Sequence, residues 1–361
     1  MRQEQGPVAG LALGAGAVLV LSLADLTVVK GETIAGTLAV APLLAAAADA
    51  SPRATAAVGG LAVAASAVLQ LVLGSSGPAI GFRLAMVLLA AVGSTVLAVR
   101  RERRERRIVN LTRVAAVAQR ALLAPLPRVV GPVAVASSYR SASDEASVGG
   151  DLLDAVQTNS GTHFIVGDVK GKGLAAVDLA AATLRAFRDA IVVSASPASC
   201  LLRIDTRLGF QLGEEDFVTA VVAAIDDDGV LHLANAAHPS PLLMTREGER
   251  RLLEPPAPTT PLGLAPEPVD YVVQLRPGDR VLLYTDGLIE ARTRSGEFVS
   301  LDALTAPALG AGSAAEALER IAATLNDRVQ GHFTDDLALL LLEYRGAGGR
   351  LEANVNATAA A

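Results

Sequence analysis

Four aspartates mark places where an apolar run meets a turn: Asp151, Asp168, Asp286 and Asp335. Asp168 ends His163-Phe-Ile-Val-Gly-Asp168 and leads into Val169-Lys-Gly171-Lys172-Gly173. Asp286 closes Val281-Leu-Leu-Tyr-Thr and precedes Gly287. Asp335 and Asp336 open the run Leu337–Leu342, and Asp151 follows Val148-Gly-Gly. A carboxylate at the end of a buried strand must be paired or bound to a cation, because an isolated buried charge is too costly. Neighbouring glycines let the backbone approach that cation, or a phosphate. Hard divalent ions take carboxylate, carbonyl and water oxygens. The four aspartates therefore read as one all-oxygen site for two metal ions. Any one of them alone would read as a turn or capping residue.

Other side chains near these motifs admit two readings. Lys170 and Lys172 could meet a phosphate in the glycine loop, but solvated loop lysines are the plainer reading. The loop is not a Walker motif, since no Ser or Thr follows Lys172. His238, just before Pro239, could donate a proton to a leaving group; a structural turn histidine is the simpler assignment. Asp144 and Glu145 lie just upstream of Asp151 and read as solvated. No Gly-x-Ser-x-Gly or Cys/His pattern points to nucleophilic catalysis. The single Cys200 excludes a disulfide framework and a cysteine-rich zinc site.

The elements that must position the aspartates fall in the second part of the chain. Strands are expected at Val133–Arg140, Leu152–Thr158, His163–Val169, Phe217–Ile225, Val230–Ala236, Leu242–Thr245, Tyr271–Leu275, Arg280–Thr285 and Leu337–Tyr344. Helices are expected at Leu174–Val193, Ser196–Leu212 and Ala314–Val329. Asp226-Asp-Asp-Gly229 is a hairpin signal, and Glu254 to Pro268 is too proline-rich for either element. Strands followed by paired helices, then more antiparallel strands, fit an α+β arrangement of sheets covered by helices. The last strand, apolar on both faces, should be central.

The first hundred residues differ in kind. The chain has 361 residues, is 51% hydrophobic and carries a net charge of −6. Its mean hydropathy of +0.42 is concentrated in that first stretch. Four apolar segments are expected, at about Pro7–Val29, Thr33–Ala48, Ala54–Leu73 and Pro78–Val99, against the roughly 20 residues a bilayer core needs. The second is short. Asp25 and Arg83 lie within segments and read as snorkelling groups near helix ends. The run Arg100 to Arg107 should stay cytoplasmic and touch anionic lipid. Arg100 to Leu123 reads as a linker helix, ended by Pro125 and Pro127; a solvated helix and a dimerising coiled coil both stay open. No basic face with interleaved aromatics suggests nucleic acid. The division is then a transmembrane region at 1–99, a linker at 100–127, a catalytic domain at 128–345 and a disordered tail at 346–361.

Several stretches make a resemblance specific: Ala146-Ser-Val-Gly-Gly-Asp151, Gly167-Asp168-Val-Lys-Gly-Lys-Gly173, Phe217-Val-Thr219, Ala234-Asn-Ala-Ala-His238-Pro, Tyr284-Thr-Asp286-Gly-Leu288 and Asp335-Asp336. Together they resemble the metal-dependent protein phosphatases of the protein phosphatase 2C superfamily, in its bacterial SpoIIE/RsbU-like branch. Ala118-Gln119-Arg120 to Pro125 also looks like the helix that often precedes such a domain. The resemblance implies an α-β-β-α sandwich of two mainly antiparallel sheets with two Mn²⁺ or Mg²⁺ ions between them. It implies that Asp168 bridges both ions and the Val169 carbonyl adds a ligand. Asp151 would hold bound water, and Asp286 and Asp335, with Asp336 as the alternative, would complete one ion. Gly171, Lys172, Gly173 and His238 would face substrate. The usual substrate in that branch is a phosphorylated anti-sigma-factor antagonist. The chain departs from the pattern at Leu152-Leu153, at Lys172, where a His is usual, and at Ala237, where a Gly is usual. Three rivals are a two-metal hydrolase of small phosphates or nucleotides, a catalytically weak membrane-tethered binding module, and a small-solute membrane protein with a regulatory tail; the full set of aspartates disfavours the second and the large second part of the chain the third.

Overall fold

The structure, a computed structural model, describes residues 5–24, 40–72, 78–122, 126–140, 149–158, 161–329 and 335–346. The chain divides into two compact units, Met1–Asn110 and Leu111–Ala361. The division falls inside the expected linker helix. Asp25, Asp144, Glu145 and the tail beyond Gly346 lie outside the described residues.

The first unit holds helices α1 (Gln5–Ala24), α2 (Val40–Ala47), α3 (Pro52–Val72) and the first part of α4 (Pro78–Leu122). Val18, Ala41, Ala45, Val58, Ala62, Leu69 and Val87 are buried between them. Small residues set that packing: a Cβ on Gly59 would collide with Ala91, so α3 and α4 approach closely there. Two helical stretches, Pro52–Val72 and Ile80–Ile108, are long and apolar enough to cross a membrane. Ala12–Leu23 is a shorter apolar helix. Helix α2 has 8 residues, too few to span; the start of the expected second segment, residues 33–39, lies outside the described residues. Arg101 ties this unit at one end. It donates to the Ala46 carbonyl at 2.8 Å and the Ala50 carbonyl at 3.1 Å, and pairs with Asp49 at 2.7 Å.

The linker helix is not a separate element. Helix α4 runs unbroken for 45 residues, from the last apolar segment through the arginine run to Leu122. At 1.5 Å per residue that is about 67 Å. The physical reason is plain: no proline lies between Pro78 and Pro125, and the glutamates and arginines alternate at spacings that support helix, as in the pairs Glu102–Arg106 and Arg101–Glu105.

The second unit is a sandwich of two antiparallel sheets. Strands β1 (Val129–Val130), β2 (Val133–Arg140), β7 (Leu242–Met244), β8 (Arg250–Leu252), β10 (Arg280–Tyr284) and β11 (Leu337–Tyr344) form one sheet, in the order β1-β2-β11-β10-β7-β8. Strands β3 (Leu152–Thr158), β4 (Gly161–Val169), β5 (Val218–Ile225), β6 (Val230–Ala236) and β9 (Tyr271–Gln274) form the other, in that order. Side chains alternate across each strand, so each sheet has an inner and an outer face. The inner faces meet through Phe164, Val166, Val221, Leu233, Val281, Leu283, Leu340 and Leu342. The outer face of the five-stranded sheet packs on α5 (Leu174–Ile191) and α6 (Pro197–Leu208) through Ile165, Val222, Phe187 and Leu201. The outer face of the six-stranded sheet packs on α7 (Leu301–Thr305) and α8 (Ala314–Val329) through Leu339, Leu341, Leu318 and Ile321. The layers are thus α-β-β-α. Helix α6 begins with a capping box built from Ser196 and Ser199. The Asp226–Gly229 turn joins β5 to β6, with the Asp226 carboxylate accepting from the Asp228 and Val230 amides. Strand β11 lies between β2 and β10, buried on both faces.

Candidate metal centre

The aspartates meet because four strand ends meet. Strand β3 starts one residue after Asp151, and β4 ends at Asp168-Val169; Leu152 pairs with Gly167, so Asp151 falls beside Asp168. In the other sheet Tyr284 pairs with Leu339, so the residues after β10 and before β11 lie side by side. Those residues are Thr285-Asp286 and Asp335-Asp336. Each sheet therefore delivers its carboxylates to the same edge of the sandwich.

Two close approaches make this possible. A Cβ at Gly149 would overlap the Asp336 carboxylate, and one at Gly287 would overlap the Asp336 carbonyl oxygen. Only glycine lets these backbones pass so near an acidic residue. Hydrogen bonds then fix individual oxygens. Thr285 Oγ1 donates to Asp151 Oδ2 at 2.9 Å and accepts from the Ala338 amide at 2.9 Å. Tyr139 donates its hydroxyl to Asp336 Oδ2 at 3.0 Å. Gln119, on the last turns of α4, donates to the Gly149 carbonyl at 2.9 Å. Lys172 Nζ lies 3.0 Å from Asp335 Oδ1.

The charges crowd one another. Burial, and then the Asp168 charge, push the Asp151 carboxyl well above its ordinary range. Burial, and then the Asp286 charge, push Asp168 up to about 7. Burial, and then Asp335, push Asp286 up as well. Burial and the charge of Asp336 raise the Tyr139 hydroxyl, which stays a neutral donor. Such mutual raising is what closely set carboxylates show when like charge is the dominant neighbour. Among the described residues, no three acidic, histidine or cysteine groups yet converge on a single point. Thr285, Tyr139 and Lys172 each hold one carboxylate toward themselves. The donor set nonetheless fits hard divalent ions: every candidate ligand is oxygen, and the repulsion is of the kind a cation relieves.

The remaining sequence candidates separate. The Val169 carbonyl lies against Gly150, beside Asp151. Gly171 and Gly173 take φ of +100° and +89°, which the loop after Asp168 requires. Lys172 is half-exposed and pairs through its ammonium with Asp335. Lys170 turns elsewhere, to the Glu215 carbonyl at 2.9 Å and the Phe217 ring. His238 is buried. Its Nδ1 lies 2.9 Å from Thr219 Oγ1, and burial pushes its pKa down to about 3. The turn that carries it is locked by Asn235, which bonds both the amide and the carbonyl of His238. Tyr139, Thr285 and Gln119 escaped sequence reading as site residues. Thr285 had one visible signal, its place directly before Asp286; the other two act across the fold.

The sandwich, with carboxylates gathered at one edge between its sheets, defines the class of PP2C-type, metal-dependent serine/threonine phosphatases. Residues 158–345 match the family described as Stage II sporulation protein E (SpoIIE), and the chain belongs to that family. It is similar to the RsbU and RsbW domains of Rv1364c from Mycobacterium tuberculosis, at 29% identity and a TM-score of 0.53, over 62% of this chain and 64% of that one. The chain thus spans slightly under two thirds of that relative's length. The SiaA-PP2C domain of Pseudomonas aeruginosa matches at 20% identity and a TM-score of 0.53, over 68% of this chain and 99% of that one. The PP2C phosphatase domain of SpoIIE from Bacillus subtilis, solved with a fragment of its regulatory domain, matches at 15% identity and a TM-score of 0.50, over 59% and 64%. The last two speak for the fold alone.

Proposed function

We propose that this chain is a membrane-anchored protein phosphatase that removes phosphate from serine or threonine of a regulatory protein, using two Mn²⁺ or Mg²⁺ ions. The carrying observation is the meeting of Asp151, Asp168, Asp286, Asp335 and Asp336 at one edge between the sheets, where burial, and then their like charges, raise Asp151, Asp168 and Asp286. Two ions bound there would supply an activated water and neutralise phosphoryl oxygens. The chain's own part is positioning. Asp151 and Asp168 present oxygens from neighbouring strands of one sheet, and Asp286 with Asp335 or Asp336 presents them from the other. Thr285 orients Asp151, and Tyr139 orients Asp336. His238, neutral and enclosed, serves the frame rather than proton transfer.

The substrate reading is a phosphorylated anti-sigma-factor antagonist, supported by the likeness to the RsbU domain of the mycobacterial protein. The anchor reading assigns 1–99 to the membrane, 100–127 to the linker, 128–345 to catalysis and 346–361 to a tail, with the catalytic part cytoplasmic. The arginine run supports that orientation. So does the Arg101 clamp, because it puts Asp49 and the start of the run at one end of the helices. Anionic lipid would contact the run, and α4 leaves a homodimer open. The full chain in detergent should hydrolyse a phosphoserine protein only with Mn²⁺ or Mg²⁺, and EDTA should abolish the reaction. Full activity in EDTA would overturn the proposal.

A further inference from the structure

Lys172 is the one lysine of the glycine loop whose ammonium reaches the carboxylates. Its Nζ is 3.0 Å from Asp335 Oδ1. It also sits in the field of Asp336 and Asp168, and it acts on Asp286 in turn. The ammonium therefore stands where positive charge is most wanted. The pair is partly open, with 45% of the lysine side chain and 37% of the aspartate side chain exposed, so the contact can be made and broken. The backbone on either side is unencumbered: nothing lies within 4 Å of a Cβ built at Gly171 or Gly173. A four-carbon stem on such a loop can swing several ångströms.

We infer that Lys172 is a tethered cation that competes with a divalent ion for Asp335, and so weakens binding of the ion nearest that residue. An ammonium and a divalent ion cannot share one carboxylate oxygen without strong repulsion. The ion must displace the lysine, and the lysine's attraction to Asp335 is subtracted from the affinity of the ion. This differs from a solvated lysine, which would not touch metal binding. It differs also from a simple phosphate contact, which would act only once substrate is present. The inference rests on the two-metal reading above.

The test is Mn²⁺ binding without substrate, read from the loss of the free-ion EPR signal as Mn²⁺ is titrated into the full chain in detergent. Lys172→Met should tighten the weaker class of sites about threefold to tenfold, the range an exposed ion pair and its repulsion allow. Lys172→Arg, which keeps the charge, should stay within about twofold of the unaltered chain. In an Asp335→Asn background the same Lys172→Met change should shift binding by less than about twofold. Unchanged or weaker binding in Lys172→Met overturns the competition while leaving the metal site intact. Equal tightening in the Asp335→Asn background overturns the assignment to Asp335. Failure of the unaltered chain to bind any Mn²⁺ overturns the two-metal reading, and the competition with it.

Discussion

Replacing Asp168 with asparagine should make the metal-free protein more stable at pH 8 while abolishing metal-dependent activity. Asp168 titrates near 7 in the folded chain, against an ordinary value of 3.8, chiefly because it is buried and faces Asp286. An acid raised in this way favours the fold fully below pH 4, and that contribution is lost as pH climbs through 7. Each pH unit of separation is worth about 1.4 kcal/mol, so the gap of about three units corresponds to roughly 4 kcal/mol. Partial solvent access screens the site, and the new amide must find its own partners, which together reduce the expected gain to about 2 kcal/mol. The chain has no tryptophan. Urea unfolding in EDTA should therefore be followed by circular dichroism, at several pH values. At pH 8 the Asp168→Asn midpoint should lie above that of the unaltered chain, and the difference should shrink toward zero near pH 4. A loss of stability at pH 8, or a gain that does not change with pH, would refute the claim that burying the Asp168 charge among like charges costs the metal-free fold stability.

Two further substitutions test the backbone around the site. Gly287→Ala should cost about 3 kcal/mol and remove activity, because its Cβ would meet the Asp336 carbonyl, a backbone atom that cannot swing aside; an unchanged urea midpoint would count against the close approach. Ala237→Gly should stabilise the fold by about 0.5 kcal/mol and so raise the urea midpoint, since Ala237 sits at φ +55° and relief of that strain exceeds the entropy glycine adds to the unfolded chain. A lowered midpoint would show that the methyl group packs better than its backbone angle suggests.

The sequence was most legible where a local pattern and its tertiary use coincide. Strands β2, β3, β6 and β11 and helix α8 run as their apolar patterns predict, because turn residues frame each one and buried apolar side chains anchor it. The metal candidates were legible for the same reason: each Asp stands at the end of such a strand. What could not be read was set by distance. Tyr139 and Asp336 meet only because β2 lies beside β11. Strand β8 is three residues of Arg-Arg-Leu, with no apolar alternation to announce it. Helix α7 is a five-residue turn after Ser300 and is equally quiet. The continuity of α4 was obscured by composition. A change from apolar to charged residues looks like a boundary, yet helix formation depends on backbone hydrogen bonds that both halves can make.

The position of β11 has a consequence for how the protein comes into being. The last strand of the fold is central in its sheet, pairing Tyr344 with Val133 on one side and Glu343 with Arg280 on the other. Contacts between such distant residues form slowly, because a long loop must close before they are rewarded. On the ribosome, β2 and β10 emerge well before the strand that separates them, and they wait with apolar edges uncovered. Asp335 and Asp336 arrive at the head of that same strand. A nascent chain can thus assemble the Asp151–Asp168 half of the cluster early, but the full set of carboxylates exists only once β11 itself has been made.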